Sequence, residues 1–153
     1  MSNESELALD VFDDGLCCAQ AVLAAFAEQF SLDRETALRI ASGFGAGMGR
    51  MTNVCGAATG AYMVLGLKYG YTVFNKEVKE NAYAMVREFS RRFRERNNGN
   101  LLCRELLGCD ISTPEGHAYA KEHDVVTKVC PKAVEDAALI LTEMLEEAAK
   151  NGK

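Results

Sequence analysis

The 153-residue sequence lacks the features of several large protein classes. No run approaches the ~18 consecutive apolar residues that a membrane span needs. With 17 basic and 22 acidic residues, the chain has a net charge of −5 and no basic excess for binding nucleic acid. Its first ten residues, MSNESELALD, are acidic and polar, unlike the basic and apolar start of a signal peptide. We therefore expect a cytoplasmic protein that binds neither nucleic acid nor membrane.

Proline and alternating β-branched residues are also scarce. Pro114 and Pro131 are the only prolines, whereas Ala, Leu, Glu, Lys, Arg and Met dominate the segments with helical periodicity. The length is typical of one domain, and no linker, repeat or second domain is evident. The sequence therefore predicts an all-α single domain, residues 1–153, built as a bundle of six to eight helices.

Capping and turn residues divide the chain into helical segments. Asp33 and Asn75 have the side chains preferred at helix N-caps, and Thr113-Pro114 is a strong helix start. A glycine-rich loop spans residues 43–53. The predicted helices cover residues 4–13, 16–30, 31 or 33 to 42, 54–69, 75–96, 100–108, a segment from 114, and 130–150.

Six cysteines are more than a domain of this size usually carries. A reducing compartment disfavours structural disulfides, so metal binding or thiol chemistry is the better explanation for them. Four sites are predicted at helix N-termini, with Asn53 and Asn100 as two of the caps; these sites are Cys17-Cys18, Cys55, Cys103 and Cys130. Unpaired N–H groups and the helix dipole favour a thiolate there, which raises its reactivity and its metal affinity.

Several catalytic signatures are missing from the chain. Without C-x-x-C there is no indication of a thioredoxin-like centre, and without C-x-x-C-H there is no covalent haem. No strand precedes the glycine-rich loop, so a dinucleotide site is not indicated. No E-x-x-H pair is present for a di-iron bundle. The only histidines, His117 and His123, are expected at the surface.

Five segments, in one order, resemble a known protein family. They are C-A-Q-A-V from Cys18, G-F-G-A-G-M-G-R from Gly43, C-G-A-A-T-G-A from Cys55, C-R-E-L-L-G-C-D from Cys103 and C-P-K-A-V from Cys130. Together, over about residues 10–145, they resemble the redox-active family named C_GCAxxG_C_C after its motif. The chain reads Cys-Gly-Ala where that name spells Gly-Cys-Ala. The resemblance implies redox activity without naming a substrate, and its four cysteines correspond to Cys18, Cys55, Cys103 and Cys130.

These four cysteines are the predicted catalytic residues. The first hypothesis is thiol–disulfide or electron-transfer chemistry with an unidentified redox partner protein, which makes the chain a possible oxidoreductase. Such chemistry needs two cysteines within disulfide reach, and Cys18 with Cys55 or Cys103 with Cys130 are both possible pairs. Because neighbouring side chains diverge by ~100° on a helix, we expect only Cys18 of the vicinal pair Cys17-Cys18 to face the site.

Two other hypotheses use the same residues. Four thiolates suit an iron–sulfur cluster or zinc, with Cys18, Cys55, Cys103 and Cys130 as ligands and Cys17 and Cys109 as substitutes. Alternatively, the cysteines pack in the core as small hydrophobic residues. The protein is then a non-enzymatic packing module, or a homodimer formed through the small-residue helix 54–69. The Gly43–Arg50 segment is either a tight turn beside Cys55 or an anion site made of backbone N–H groups.

Overall fold

The computed structural model describes residues 3–152, and over that range the fold is all-α, without a β-strand. Met1, Ser2 and Lys153 belong to the predicted domain but lie outside the described residues. The eight α-helices of residues 3–152 are α1 (Asn3–Asp13), α2 (Cys18–Ala27), α3 (Arg34–Ala41), α4 (Gly56–Tyr69), α5 (Lys76–Arg96), α6 (Cys103–Leu107), α7 (Pro114–Glu122) and α8 (Val125–Lys150). The predicted fold class is confirmed.

Three of the predicted helix starts are capped by the expected side chains. The Asp33 carboxylate accepts a hydrogen bond from the Thr36 N–H at 2.9 Å, and the Asn75 side-chain oxygen accepts one from the Val78 N–H at 3.1 Å. Thr113 caps α7 in the same way, and Pro114 is the first residue of that helix. Each cap satisfies an N–H that has no partner within the first turn, which is why these starts were predictable.

Helix α2 lies at the centre of the fold and contacts α1, α3, α4 and α8. Its Val22, Leu23 and Phe26 are buried in the same cluster as Phe89 and Phe93 of α5. A second, smaller cluster lies under α6 and α7, around Cys103, Leu107, Ile111 and Ala120. Cys18 and Cys55 belong to the larger cluster, whereas Cys103 belongs to the smaller one and Cys130 packs against it.

Glycines allow α4 to approach α2 very closely. A Cβ atom at Gly60 would lie 2.7 Å from the Ala19 carbonyl oxygen, and one at Gly56 would overlap the Cys18 Sγ. Residues 56–61, the small residues that the sequence offered as a dimer contact, are therefore buried within this chain. Their size serves the packing of α4 on α2.

The predicted caps Asn53 and Asn100 are wrong. The N-cap of α4 is Cys55 and that of α6 is Leu102. Residues 53–55 instead pair in antiparallel fashion with residues 101–103 through an isolated bridge between Val54 and Leu102. This pairing links two segments far apart in sequence, so local capping preferences could not reveal it.

The predicted helix start at Cys130 is also wrong. Helix α8 begins at Val125 after Asp124, whose φ is 51°, so Cys130 lies in the second turn and Pro131 is inside the helix. Proline has no N–H for the carbonyl oxygen of Thr127 four residues earlier, and such an interior position usually costs stability. The long buried face of α8, which includes Val134, offsets that local cost by packing.

Within residues 3–152, none of the helices is long and apolar enough to cross a membrane.

Candidate functional site

Five of the six cysteines line one cavity of about 620 Å³. Its lining includes Cys17, Cys18, Cys55, Cys103 and Cys130. All four predicted site residues are thus on its wall, although they come from four different helices or helix ends. Cys109 packs with the smaller hydrophobic cluster and is not among the lining residues. All six cysteines are free thiols.

The start of α2 positions the vicinal cysteines. Cys17 is the N-cap, and its N–H donates to the Gln20 side-chain oxygen at 2.9 Å. The Cys17 Sγ lies 3.7 Å from the Ala41 carbonyl oxygen, and burial raises the pKa of this thiol. Cys18 is the first helical residue and is buried against α4. The prediction that only Cys18 faces the site is wrong, since Cys17 also borders the cavity.

Cys18 is the most acidic thiol of the cavity. A hydrogen bond from the Cys55 thiol lowers the pKa of Cys18 to about 7 against the effect of burial. The backbone N–H groups of Ala46 and Ala19 also stabilise the Cys18 thiolate and lower its pKa. A thiolate is the nucleophilic form of cysteine, so these contacts prepare Cys18 for reaction at neutral pH.

Cys55 carries the proton of the pair. Its hydrogen bond to the Cys18 sulfur, together with burial, holds the pKa of Cys55 well above its ordinary value. Two thiols that share one hydrogen bond lose their protons in two coupled steps, because the first thiolate opposes formation of the second. With a Cys18 pKa of about 7, about half of the molecules at neutral pH therefore hold a Cys18 thiolate beside a Cys55 thiol.

A left-handed turn brings the Ala46 N–H to Cys18. Five successive residues, 46–50, have φ between 55° and 67°, and three of them, Ala46, Met48 and Arg50, are not glycine. Each such residue costs roughly 1–2 kcal/mol in this conformation. Gly47 is required by close packing, since a Cβ there would lie 2.5 Å from the Asn53 nitrogen. Backbone strain of this kind is concentrated at functional sites in proteins.

The paired segments 53–55 and 101–103 bring Cys55 and Cys103 together. The Cys55 N–H donates to the Leu101 carbonyl at 2.9 Å, and the Cys103 N–H donates to the Asn53 carbonyl at 2.6 Å. Successive side chains of an extended segment point to opposite faces. Cys55 and Cys103 therefore share the face opposite Val54 and Leu102, and that face borders the cavity.

Cys103 and Cys130 are protonated thiols on the same wall. Burial, reinforced by the negative charge of Cys18, raises the pKa of each to about 12. Cys103 begins α6, as expected from the sequence, yet burial outweighs the stabilising effect of that short helix on a thiolate. A helix N-terminus was therefore an insufficient criterion for a reactive cysteine.

The rim of the cavity contains polar residues, of which only Arg50 belongs to a segment that the sequence analysis connected with the site. His117, Lys121 and Asp124 all line the cavity, as does Arg50 from the left-handed turn. His117 and Lys121 are four residues apart and so lie on one face of α7. Asp124 follows the C-terminal end of that helix. His117 is half-buried, contrary to the surface position predicted for it, whereas His123 is exposed and stacks on Tyr119 at 4.1 Å.

Across residues 3–152, no group of three or more His, Cys, Asp or Glu side chains is arranged to hold a metal ion. Metal ligation by Cys18, Cys55, Cys103 and Cys130 remains a prediction that metal analysis of the purified protein tests.

Comparison with known proteins identifies the family. Residues 16–144 match the family described as "Putative redox-active protein (C_GCAxxG_C_C)", a range that covers most of the chain and all six cysteines. No curated protein and no solved structure matches the sequence. The match confirms the family resemblance of the five motifs, and the chain belongs to the C_GCAxxG_C_C family.

Proposed function

We propose that this protein is a dithiol oxidoreductase in which Cys18 and Cys55 exchange electrons with a disulfide substrate. The observation that carries the proposal is the placement of both sulfurs side by side on the wall of one cavity. Helix α2 presents Cys18 and the start of α4 presents Cys55, and the absence of a side chain at Gly56 makes room for the Cys18 Sγ.

The reaction conserves atoms and electrons in two exchange steps. The Cys18 thiolate attacks one sulfur of the substrate disulfide, forms a mixed disulfide and releases the first substrate thiolate. Cys55 then loses its proton and attacks the Cys18 sulfur, which releases the second substrate thiolate. The Cys55 proton ends on one substrate thiolate, and the other substrate thiolate takes its proton from water, which replaces the proton that Cys18 had already lost to solvent. The protein gains one disulfide and the substrate gains two electrons; the reverse sequence oxidises a dithiol.

The unequal acidity of the two thiols suits these roles. Cys18 is ionised near neutral pH and therefore attacks first. Once Cys18 is in a mixed disulfide, it no longer carries the charge that opposes ionisation of Cys55. Cys55 thus becomes a better nucleophile at the moment when its attack is needed.

Cys103 and Cys130 extend the proposed site. Both line the cavity, and we assign them as a second thiol pair that can exchange with a Cys18–Cys55 disulfide. Their pKa values of about 12 make them slow to attack at neutral pH. A redox partner protein or a small thiol in a reducing cytoplasm would return the oxidised site to its thiol form.

Peptide mapping after mild oxidation tests the proposal. Reduced protein is treated with limiting diamide, and the remaining thiols are alkylated before proteolysis and mass spectrometry. We expect a Cys18–Cys55 disulfide in the native chain and in the control C109S, whose altered cysteine is outside the cavity lining. C18S should form no disulfide at limiting oxidant.

Three outcomes would contradict the proposal. One is six thiols that resist oxidation in the folded chain, which would support the packing module. Another is a first disulfide that excludes Cys18. The third is stoichiometric zinc, or iron with sulfide, in protein purified without oxygen and lost in C18S and C55S, which would establish the metal-binding alternative.

A further inference from the structure

We infer that the cavity is a binding site for a small disulfide with an apolar body and a negatively charged group such as a carboxylate. This inference rests on the proposed function, because the cysteine wall supplies the reactive thiols. It adds the substrate class, which follows from the size of the cavity, the chemistry of its floor and the charges at its rim.

The size and the floor of the cavity fit a small organic molecule. Its volume of about 620 Å³ is within the range of roughly 300–1,000 Å³ that is usual for small-ligand pockets. Leu107, Ile111 and Ala120 form buried apolar parts of its lining, next to the buried Cys18 and Cys103. Burial of an apolar ligand body against this part of the cavity, where the thiols also lie, would therefore favour binding through the hydrophobic effect.

The rim of the cavity favours a negative group on that molecule. Arg50 and Lys121 are exposed lining residues, and Asp124 is the single carboxylate among the lining residues. Within residues 3–152, neither Arg50 nor Lys121 forms an ion pair, so both cations are available to a ligand. The rim is thus cationic in a chain whose net charge is −5.

The placement of Arg50 strengthens this assignment. Its φ of 64° is a conformation that favours glycine or asparagine, yet the chain holds an arginine there, at the edge of the cavity. The same left-handed turn supplies the Ala46 N–H to the Cys18 thiolate. One loop therefore connects the reactive sulfur to a cation at the rim, a geometry that orients a disulfide bond toward Cys18 and its charged group toward solvent.

A pair of chromogenic aromatic disulfides tests the inference. The reduced chain reacts with 5,5′-dithiobis(2-nitrobenzoate), which carries two carboxylates, or with the uncharged 4,4′-dithiodipyridine at neutral pH. The variants are R50N, which suits the left-handed backbone, K121Q, and both together. The control K128Q removes an exposed lysine that is not among the lining residues.

We expect selective loss of reaction with the charged probe. A unit charge near contact in water is worth about a fivefold change, so each rim variant should slow the carboxylated disulfide by about fivefold and the double variant by more. The rate with 4,4′-dithiodipyridine should fall by much less than the rate with the carboxylated disulfide, K128Q should change neither rate, and the far-UV circular dichroism spectrum of each variant should match that of the native chain. High salt should reproduce the effect in the native chain, because it screens exposed charges.

Protection of Cys18 gives a readout that does not depend on disulfide exchange. 2-Naphthoate should slow alkylation of Cys18 by the neutral reagent iodoacetamide in a saturable way, and the amide 2-naphthamide should protect less. In the R50N/K121Q double variant this difference should disappear.

The failure of the inference and that of the proposed function give different results. If the rim variants slow both disulfides equally or neither of them, while C18S abolishes the fast reaction with both, the substrate assignment is overturned and the dithiol proposal stands. If C18S reacts with both probes as fast as the native chain does, the dithiol proposal itself is overturned.

Discussion

At the scale of single residues, surroundings rather than residue type make the cysteines different. Cys18 and Cys103 both begin helices and are both buried. Cys18 nevertheless receives a hydrogen bond from Cys55 and backbone N–H groups that offset its desolvation, whereas burial dominates at Cys103. The helix start that both share therefore does not decide the pKa; the number of donors aimed at the sulfur does.

Removing the Cys55 thiol should raise the pKa of Cys18. In C55A the largest stabilising contact of the Cys18 thiolate is lost while burial remains, so the midpoint of Cys18 alkylation should move from about pH 7 to its ordinary value of 9.0 or above. At pH 7 the thiolate fraction should fall from about one half at a pKa of about 7 to about one hundredth at a pKa of 9.0. Iodoacetamide rates measured across pH, with Cys18 followed by mass spectrometry, check the shift.

C109S is the matched control for this measurement, since Cys109 is not among the cavity-lining residues. It should keep the midpoint of Cys18 near pH 7. An unchanged midpoint in C55A would show that Cys55 does not stabilise the Cys18 thiolate.

At the scale of secondary-structure elements, segments with their own capping signals were predictable and paired segments were not. Asp33, Asn75 and Thr113 cap the helices assigned to them because the cap is a local hydrogen bond. Asn53 and Asn100 are equally suitable residues, yet their segments pair with each other across the chain. Local preference is outweighed there by a long-range backbone pairing.

The contact between α2 and α4 should be sensitive to a single methyl group. In G60A the new Cβ would lie 2.7 Å from the Ala19 carbonyl oxygen, so we expect a loss of about 1–3 kcal/mol in the free energy of unfolding. In the control G66A, on the same helix, the Cβ meets no atom within 4 Å. Because alanine favours a helix over glycine, G66A should gain up to about 1 kcal/mol.

Urea denaturation followed by circular dichroism measures both variants. Equal stability of G60A and G66A would contradict the close approach of α4 to α2.

The left-handed turn offers a second matched pair of glycines. G47A should be more destabilising than G49A, although both have positive φ, of 67° and 58°. G49A meets no atom within 4 Å and carries only the backbone cost of roughly 1–2 kcal/mol, whereas a Cβ at Gly47 would collide with Thr52 and Asn53. Urea denaturation checks the order of stability. If G49A were the less stable variant, the packing of Gly47 against residues 52 and 53 would be in doubt.

At the scale of the whole molecule, ion pairs at the surface join α5 to α8. Arg92 binds Glu88 at 2.7 Å within α5 and Glu147 of α8 at 2.8 Å, and Arg96 binds Glu143 of α8 at 2.5 Å. The two pairs that link α5 to α8 join residues 55 and 47 positions apart in sequence. They lie at the surface, so each contributes only modestly to stability.

Protonation of Glu88 at low pH should weaken its ion pairs with Arg91 and Arg92. Hydrogen bonds from Arg91 and Arg92 lower the pKa of Glu88 to about 2, from an ordinary value of 4.5. A depressed folded-state pKa adds stability that is complete above pH 4.5 and is lost as the pH falls toward 2. E88Q should therefore be less stable than the native chain by about 0.5–1 kcal/mol at neutral pH, and the difference should shrink in acid.

Urea denaturation at a series of pH values measures this difference. E146Q, an exposed glutamate of α8 that forms no ion pair within residues 3–152, is the control and should show little change. A difference between E88Q and the native chain that is the same at all pH values would exclude the ionised carboxylate as its cause.

The helical class, most helix boundaries, the family and four of the five cysteines that border the cavity were predictable from the sequence. Those features depend on periodicity, local hydrogen bonds and motifs, all of which act over a few residues. The single-domain organisation stays a prediction from length and composition. The start of α8 was mispredicted because Cys130-Pro131 resembles a local start signal, whereas the packing of the helix extends it back to Val125.

Which cysteine is ionised, and what surrounds it, depends on how distant segments pack together. The Cys18 thiolate depends on Cys55, 37 positions away, and on a turn in which Ala46, Met48 and Arg50 are left-handed although they are not glycine. The cationic rim likewise combines Arg50 with Lys121, 71 positions apart. Electrostatic and hydrogen-bonding effects depend on distance in space and on burial, and both are set when distant segments pack together.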